Sequence, residues 1–364
     1  MRNKKNKRSI SLFHILSLAI FLAVLVLLYI SISSYGAADL INGGIAAYYR
    51  RIMAALGNLF PFSLFEIFVV CIPLFVLTVV VFAVRSFRRG RGGRFIATLL
   101  SVVLLIYSGH TLALGIGYHT TPLMDRLGLT RTEITDERLV SVMTSLRDEV
   151  NALSEEIERD GRGVSVTHYS LDGISRLLCD SFDSLSERYA FLDSFDSRVK
   201  GVGFTNLLSH LTLTGIYTFY TGEANVNTAY PAYDVAYTAA HELSHQRGIL
   251  RENEANFIAY LVCVNSPDTF IRYSGALNMY SYVASALYRT DTEEYNRIVE
   301  GLSDGPRADI NASGAVYREY SDTLFSDISE LVNDLFLRSN GTPGTISYGM
   351  VVELMVAYFE EQTR

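Results

Sequence analysis

The chain has 364 residues, of which 49% are hydrophobic and 19% charged, and its mean hydropathy is +0.21. An ordinary soluble domain carries about 25% charged residues, so this composition argues against a purely soluble globular protein and against intrinsic disorder. The formal net charge of −7 excludes a general nucleic-acid binder. Residues 1–94 hold 12 basic and 2 acidic side chains, whereas the remainder holds 19 basic and 36 acidic ones. This asymmetry predicts a basic membrane anchor joined to an acidic, water-exposed domain.

Three apolar stretches, 10–30, 64–84 and 95–116, are each long enough to cross a bilayer, which needs about 20 such residues. The first could instead be a cleaved signal peptide, but its apolar run exceeds the ~7–15 residues of a signal core. Five positive charges in the N-terminal tail and five in the loop after the second span outnumber the two in the loop after the first. We therefore expect a multi-pass protein of the cytoplasmic membrane, with a cytoplasmic N-terminus and an extracytoplasmic domain over residues 118–364.

The segment 35–63 between the first two spans has apolar residues at helical spacing, which predicts a helix in the membrane interface. A helix packed on the outer domain explains the pattern equally well. The residues concerned are Ile41, Ile45, Tyr48, Ile52, Met53, Leu56, Leu59 and Phe60.

The outer domain is predicted to be mainly α, in an α+β arrangement. Apolar periodicity predicts helices from Asp136 to Ile157, from Asp172 to Phe191, and from about Tyr233 onward. Residues 200–227 are rich in β-branched and aromatic side chains and predict strands and loops. The two cysteines in this domain could form one disulfide, although two buried free thiols are favoured.

One motif carries the chemistry of the predicted site. Residues 238–248 read TAAHELSHQRG, which contains H-E-x-x-H as His241, Glu242 and His245. Helical residues four apart share a face, so both imidazoles can reach one metal ion. Glu242 projects about 100° round the helix from His241, where it can hydrogen-bond a water on that ion without binding the metal itself. The flanking small and apolar residues predict burial, and buried His and Glu side chains are costly unless something occupies them.

A catalytic zinc ion takes three protein ligands and leaves a fourth position open. Gly248 is expected to end the motif helix, and the next predicted helix, ENEANFIAYLVC, offers Glu252 and Glu254. Glu254 shares a face with the apolar residues Ile258 and Leu261, which predicts that it points inward and supplies the third ligand. Glu252 and a residue elsewhere in the chain are the alternatives, but an acid at an exposed helix start is more simply a charge that favours the helix N-terminus.

HELSHQRG followed by ENEANFIAYLVC resembles the gluzincin arrangement of zinc peptidases, in which a Glu on a following helix completes the metal site. The E-A-N-x-x-A portion is similar to peptidases of the ImmA/IrrE type. The metzincin pattern fits less well, because its third His would fall at Arg251. The wider stretch 213–263, with the three spans, resembles an uncharacterised family of bacterial membrane proteins, domain of unknown function 3810. That resemblance covers most of the chain and implies a zincin-like metal site without naming a substrate.

A peptidase site of this kind also needs an oxyanion donor and a surface that binds the substrate. A tetrahedral intermediate needs a hydrogen-bond donor for its oxyanion, and His210, Tyr217, Tyr220 and Tyr273 are unranked candidates. Residues 222–227 could form an edge strand that holds an extended substrate, or could be a connecting loop.

The leading hypothesis is a membrane-anchored zinc metallopeptidase acting on a peptide or protein in the cell envelope. One Zn²⁺ ion would be held by His241, His245 and Glu254, with Glu242 as the general base. The alternatives are a zinc-dependent sensor or binding module without hydrolytic activity, and an assembly protein whose domain only docks partners. Glu242 favours the enzyme, because a structural zinc site has no need of a carboxylate beside an open coordination position.

Overall fold

The computed structural model describes residues 11–204, 206–321, 323–344 and 349–363. Within these ranges the chain is mostly helical, with one three-stranded sheet. The basic N-terminal tail, and the predicted start of the first span at Ile10, lie outside the described residues. The helices of the first part of the chain are α1 (Leu12–Ser33), α2 (Tyr35–Ile41), α3 (Ala47–Gly57), α4 (Leu64–Arg88) and α5 (Gly92–Ala113).

Helices α1, α4 and α5 are long and apolar enough to cross a membrane. The three predicted spans are therefore confirmed as helices, with slightly different ends. Helices α1 and α5 pack together, since His14 Nδ1 lies 3.1 Å from Ser101 Oγ and the ring of Phe21 meets Tyr107 edge-on. Large apolar side chains on all three helices point outward, as expected for helices surrounded by hydrocarbon.

Helices α2 and α3 occupy the segment between the first two spans and are joined by a π-helical turn over Asn42–Ala46. Their small residues and Arg50 are buried, and the segment packs on the domain that follows the three apolar helices. Arg50 is fully buried and donates to the side chain and carbonyl of Asn42, which in turn donates to the carbonyl of Gly248. Part of the predicted apolar stripe, including Ile45, Tyr48, Ile52 and Leu56, remains exposed on the opposite side.

The helices of the second part of the chain enclose the main apolar core. The core is formed largely by α7, α8, α10, α11, α12 and α16, and α11 is buried on every side. The predicted helices at 136–157 and 172–191 are confirmed with shorter C-terminal ends, and both cysteines in the domain are buried free thiols. The helices are α6 (Leu123–Arg126), α7 (Asp136–Ser154), α8 (Leu171–Arg188), α9 (Leu207–His210), α10 (Ala232–Gln246), α11 (Glu252–Val264), α12 (Thr269–Thr290), α13 (Thr292–Glu300), α14 (Asp304–Tyr320), α15 (Leu324–Ser339) and α16 (Val351–Gln362).

The sheet consists of β1 (Val199–Val202), β2 (Gly215–Thr218) and β3 (Glu223–Asn227), in the order β1-β3-β2. Strand β3 is parallel to β1 and antiparallel to β2. The predicted strand-and-loop region is confirmed, but the idea that residues 222–227 form an edge strand is wrong. Strand β3 has a partner on both sides and is buried throughout, so β1 and β2 form the edges of the sheet.

Strand β3 is attached directly to the start of α4, the second of the three long apolar helices. The carboxylate of Glu223 accepts hydrogen bonds from the backbone N–H groups of Leu64 and Phe65, at 3.1 and 3.0 Å. Ser63 Oγ donates to Asn225 Oδ1 at 2.7 Å. A carboxylate at a helix N-terminus satisfies unpaired N–H groups and interacts favourably with the positive end of the helix dipole. The sheet is thereby held at the end of α4 where the chain enters the span.

Candidate metal centre

Helix α10 carries the H-E-x-x-H motif inside the protein rather than on its surface. His241, Glu242 and His245 are only 9%, 4% and 8% exposed. The helix ends before Gly248, whose φ of +89° lies in the left-handed region that favours glycine. A Cβ at Gly248 would also collide with the Arg50 guanidinium, so the close approach of α3 requires glycine here as well.

The turn after α10 brings the first residue of α11 to the two histidines. Glu252 Oε2 lies 3.2 Å from His241 Nε2 and 3.5 Å from His245 Nε2. One donor atom from each of the three side chains lies within 4.8 Å of the others. Two ligands of a tetrahedral zinc ion at about 2.0–2.1 Å lie about 3.4 Å apart. The spacing of His241, His245 and Glu252 therefore fits a single metal ion.

The hydrogen bonding of these side chains also fits a cation. Glu252 Oε2 is buried and accepts no well-directed hydrogen bond. His245 Nδ1 lies 2.8 Å from the carbonyl oxygen of Ile249, which can accept its N–H and leave the Nε2 lone pair free toward Glu252. A buried carboxylate oxygen without a hydrogen bond, facing two imidazole nitrogens, is stabilised when a positive ion lies between them.

The expectation that Glu254 faces the histidines is wrong. Its Oε1 accepts a hydrogen bond from the N–H of Leu123 at 2.9 Å and forms an ion pair with Arg251 at 2.8 Å. The apolar residues Ile258 and Leu261 do not mark the face toward the site, because α11 is buried all round. Glu252, expected at an exposed helix start, is only 7% exposed and takes the place predicted for Glu254.

Burial and charge oppose each other in the His245–Glu252 pair. Burial alone lowers the pKa of His245, but the carboxylates of Glu252 and Glu242 and the Ile249 carbonyl together raise it to about 9. Burial alone raises the pKa of Glu252, but the two imidazoles reverse this and hold it below its ordinary range. A proton and a metal cation would therefore compete for the same place, and metal binding is expected to release a proton.

Glu242 points to the edge strand β2 rather than into the triad. A Cβ at Gly215 would lie 2.6 Å from Glu242 Oε1, so the missing side chain leaves room for the carboxylate. Burial raises the pKa of Glu242 more than His241, His245 and the backbone N–H of Tyr217 lower it. In the described part of the chain no Arg or Lys forms an ion pair with Glu242. Glu242 is thus a buried carboxyl of raised pKa that lies beside the three converging side chains.

A cleft passes the triad along the edge of the sheet. Two cavities of about 310 and 340 Å³ meet at His241 and Glu242, and Gly215 and Asn333 border both. Strand β2 forms one wall of the cleft and helix α15 forms the other.

The oxyanion candidates separate into two groups. Tyr217 and Tyr220 border the cleft. Tyr273 lies elsewhere, because its hydroxyl donates to Asp309 Oδ2 at 2.5 Å, and the ring of His210 packs edge-on against Tyr320. Neither of these two residues borders the cleft.

Several residues bordering the cleft were not found from the sequence. They come from the end of α5, the 3₁₀ turn after it (Gly115–His119) and α15, which only the tertiary fold brings to the motif. The sequence signals only His110, because a His inside an apolar span commonly faces protein rather than lipid. The residues are His110, Tyr118, Asn333 and Phe336.

A model of the family described as Protein of unknown function (DUF3810) matches residues 42–356. The chain belongs to the DUF3810 family. The region of this DUF3810 protein that matches contains α3, two of the three apolar helices, the sheet, and both helices of the candidate metal centre. No curated protein and no solved structure matches the chain.

Proposed function

We propose that this DUF3810 protein is a membrane-anchored zinc metallohydrolase of the peptidase class, with the ion held by His241, His245 and Glu252. The observation that carries the proposal is the position of Glu242. This carboxylate is buried beside the triad, forms no ion pair with an Arg or Lys among the described residues, and is not one of the three converging ligands. A site that only binds zinc needs three or four ligands and gains nothing from a further buried carboxylate.

In the proposed reaction, zinc would supply Lewis acidity to the scissile carbonyl and would lower the pKa of water. Glu242 accepts the proton of the attacking water and passes it to the leaving amine. The missing side chain at Gly215 leaves the space into which the Glu242 carboxylate projects. The Ile249 carbonyl fixes the orientation of His245, so that its Nε2 faces the ion.

The edge strand supports a peptide as the substrate. Strand β2 pairs only with β3, so its other edge is open to the cleft. An extended peptide can add to such an edge through backbone hydrogen bonds, which recognise a polypeptide regardless of its side chains. A peptide laid along β2 would pass His241 and Glu242, which border both cavities of the cleft.

The proposed location of the centre is outside the cytoplasmic membrane. The sheet contacts the beginning of α4, whereas the Arg-rich loop between α4 and α5 lies at the opposite end of that helix. Positively charged loops remain on the cytoplasmic side. The metal centre, at the other end of α4, would then face the cell envelope, where its peptide or protein substrate would be found.

The full-length protein tests the proposal through Glu242→Gln, with zinc measured by elemental analysis and hydrolysis measured on a peptide library. Glutamine keeps the size of the side chain but cannot carry the proton. We expect zinc content near that of the wild type and a loss of hydrolysis of at least 10²- to 10⁴-fold.

Glu330→Gln is the matched control, because Glu330 also borders the cleft but lies outside the triad. It should retain both zinc and hydrolysis. Full hydrolysis by Glu242→Gln would contradict the proposed base. A wild-type protein that binds zinc but cleaves no peptide would favour the sensor alternative.

A further inference from the structure

Helix α15 carries its apolar face on the outside of the protein. Six large apolar side chains recur at positions i, i+1, i+4, i+7, i+8 and i+11, which places them on one side of the helix. Each is between 50% and 73% exposed, and nothing among the described residues covers the face they form. A helix on a water-exposed surface normally has the reverse arrangement. The six residues, called here the α15 apolar face, are Leu324, Phe325, Ile328, Leu331, Val332 and Leu335.

The opposite side of α15 is turned toward the candidate metal centre. Ser329, Glu330 and Asn333 border one cavity of the cleft, and Asn333 and Phe336 border the other. The helix therefore presents mostly polar side chains to the site and apolar side chains away from it. It forms the outer wall of the cleft, so whatever contacts its apolar face also lies next to the entrance of the site.

The position of α15 relative to the spans indicates what that face contacts. The ring of Phe336 packs edge-on against His110, in the last turn of α5, with centroids 5.9 Å apart. The turn between β2 and β3 reaches the same level, since Phe219 contacts His110 and Tyr220 contacts Phe68 near the start of α4. Helix α15 thus lies beside the ends of two apolar helices, where a bilayer surrounding them would have its surface.

The exposed stripe on α3 and the π-helical turn before it supports the same conclusion independently. Ile45, Tyr48, Ile52 and Leu56 form a second outward apolar face, on the connection between α1 and α4. Two amphipathic helices distant in sequence therefore expose apolar side chains close to the ends of the same spans. This arrangement is typical of helices that lie in a membrane interface.

We propose that the α15 apolar face is inserted into the surface of the lipid bilayer that contains α1, α4 and α5, so that the cleft opens at the membrane surface. Burial of apolar side chains, rather than attraction to anionic lipids, drives the contact. Helix α15 carries Asp327, Glu330 and Asp334 against a single basic residue, Arg338. Phosphatidylcholine, a zwitterionic lipid with no net charge, should therefore be sufficient.

The test attaches a fluorescent probe to Leu331→Cys in the full-length protein, reconstituted in phosphatidylcholine nanodiscs. Cys71→Ser removes the exposed native thiol, and the two remaining cysteines are buried. Quenching by nitroxide-labelled lipid is compared with quenching by a water-soluble nitroxide. We expect strong lipid quenching and weak aqueous quenching at position 331, with Leu335→Cys one turn along giving the same result.

Two controls bracket this measurement. Val103→Cys on α5 is similarly exposed within a span and defines contact with lipid, whereas Tyr288→Cys on α12 is similarly exposed on a helix packed against α7 and α13. A probe at 331 that is quenched only from water, like the probe at 288, would overturn the proposal. Protection from both quenchers would also overturn it, because the face would then be covered by protein, such as a second copy of the chain.

Discussion

Two buried carboxylates in this protein have opposite surroundings. Asp309, on α14, is fully buried, and its oxygens accept hydrogen bonds from the Ser165 N–H, the Tyr273 hydroxyl and the Arg159 guanidinium. Glu252 is almost as deeply buried, but its Oε2 accepts no well-directed hydrogen bond and faces two imidazoles. In the described part of the chain no Arg or Lys pairs with it.

The difference is whether the protein itself supplies a positive charge that compensates the buried carboxylate. Burying a charge is costly unless a partner compensates it. For Asp309 the chain supplies the compensation permanently, through Arg159. For Glu252 the compensation must come from a proton on a histidine or from a metal ion. Glu254, two residues along the same helix, belongs with Asp309, because Arg251 neutralises it.

The largest expected effect follows from this contrast within the first turn of α11. Glu252→Ala should weaken zinc binding by more than about 100-fold, because two imidazoles alone leave the ion under-coordinated. Glu254→Ala should leave zinc affinity almost unchanged and instead lower the free energy of unfolding of the metal-free protein by about 3 kcal/mol, since Arg251 loses its buried partner. Competition with a chelator measures the first effect, and denaturant titration measures the second. Equal zinc loss in both variants would refute the assignment of the third ligand.

The choice between these two acids shows where sequence reasoning reaches its limit. The pairing of His241 with His245 is local, because a four-residue spacing puts them on one helix face in any fold. The choice between Glu252 and Glu254 depends on how α11 meets α10, which an apolar stripe cannot reveal in a helix buried on all sides. The i,i+3 spacing of Arg251 and Glu254 was a usable signal, because it favours an ion pair that commits Glu254 elsewhere.

The features of the fold likewise divide into those that local sequence patterns predict and those that depend on tertiary packing. Long apolar runs predicted the three spans, and periodicity predicted α7 and α8, because these patterns act within one element. The order of the strands was not predictable, since the pattern of residues 222–227 does not say whether β3 has one neighbour or two. The outward face of α15 is explained by neither local pattern nor core packing, and depends on its place beside α5.

The second prediction concerns Asp309, the buried carboxylate that Arg159 compensates. Asp309→Asn removes the charge that pairs with Arg159 and should lower the free energy of unfolding by about 2–3 kcal/mol, without changing zinc content. Denaturant titration and elemental analysis of one preparation check both statements. Glu294→Gln, which breaks an ion pair with Arg297 on the surface of α13, is the control and should have no measurable effect. Loss of zinc in Asp309→Asn would mean that this network also shapes the metal centre.

The smallest effect concerns Asp234, in the first turn of α10, a buried carboxylate that has hydrogen bonds but no Arg or Lys partner among the described residues. Burial raises the pKa of Asp234 from 3.8 to about 6, and the hydrogen bond from Ser313 only partly opposes this. The folded protein therefore holds this proton more tightly than the unfolded chain, and the stability contributed by Asp234 falls as the pH rises from about 4 through 6. Asp234→Asn cannot ionise and should raise the free energy of unfolding at pH 8 by about 1–3 kcal/mol, with much less gain at pH 4.

Denaturant titrations at the two pH values measure the difference, and Asp309→Asn should change stability in the opposite direction at pH 8. An equal gain at both pH values would show that ionisation of Asp234 is not what costs stability. The presence or absence of a cationic partner would then no longer explain why the buried carboxylates of this protein differ.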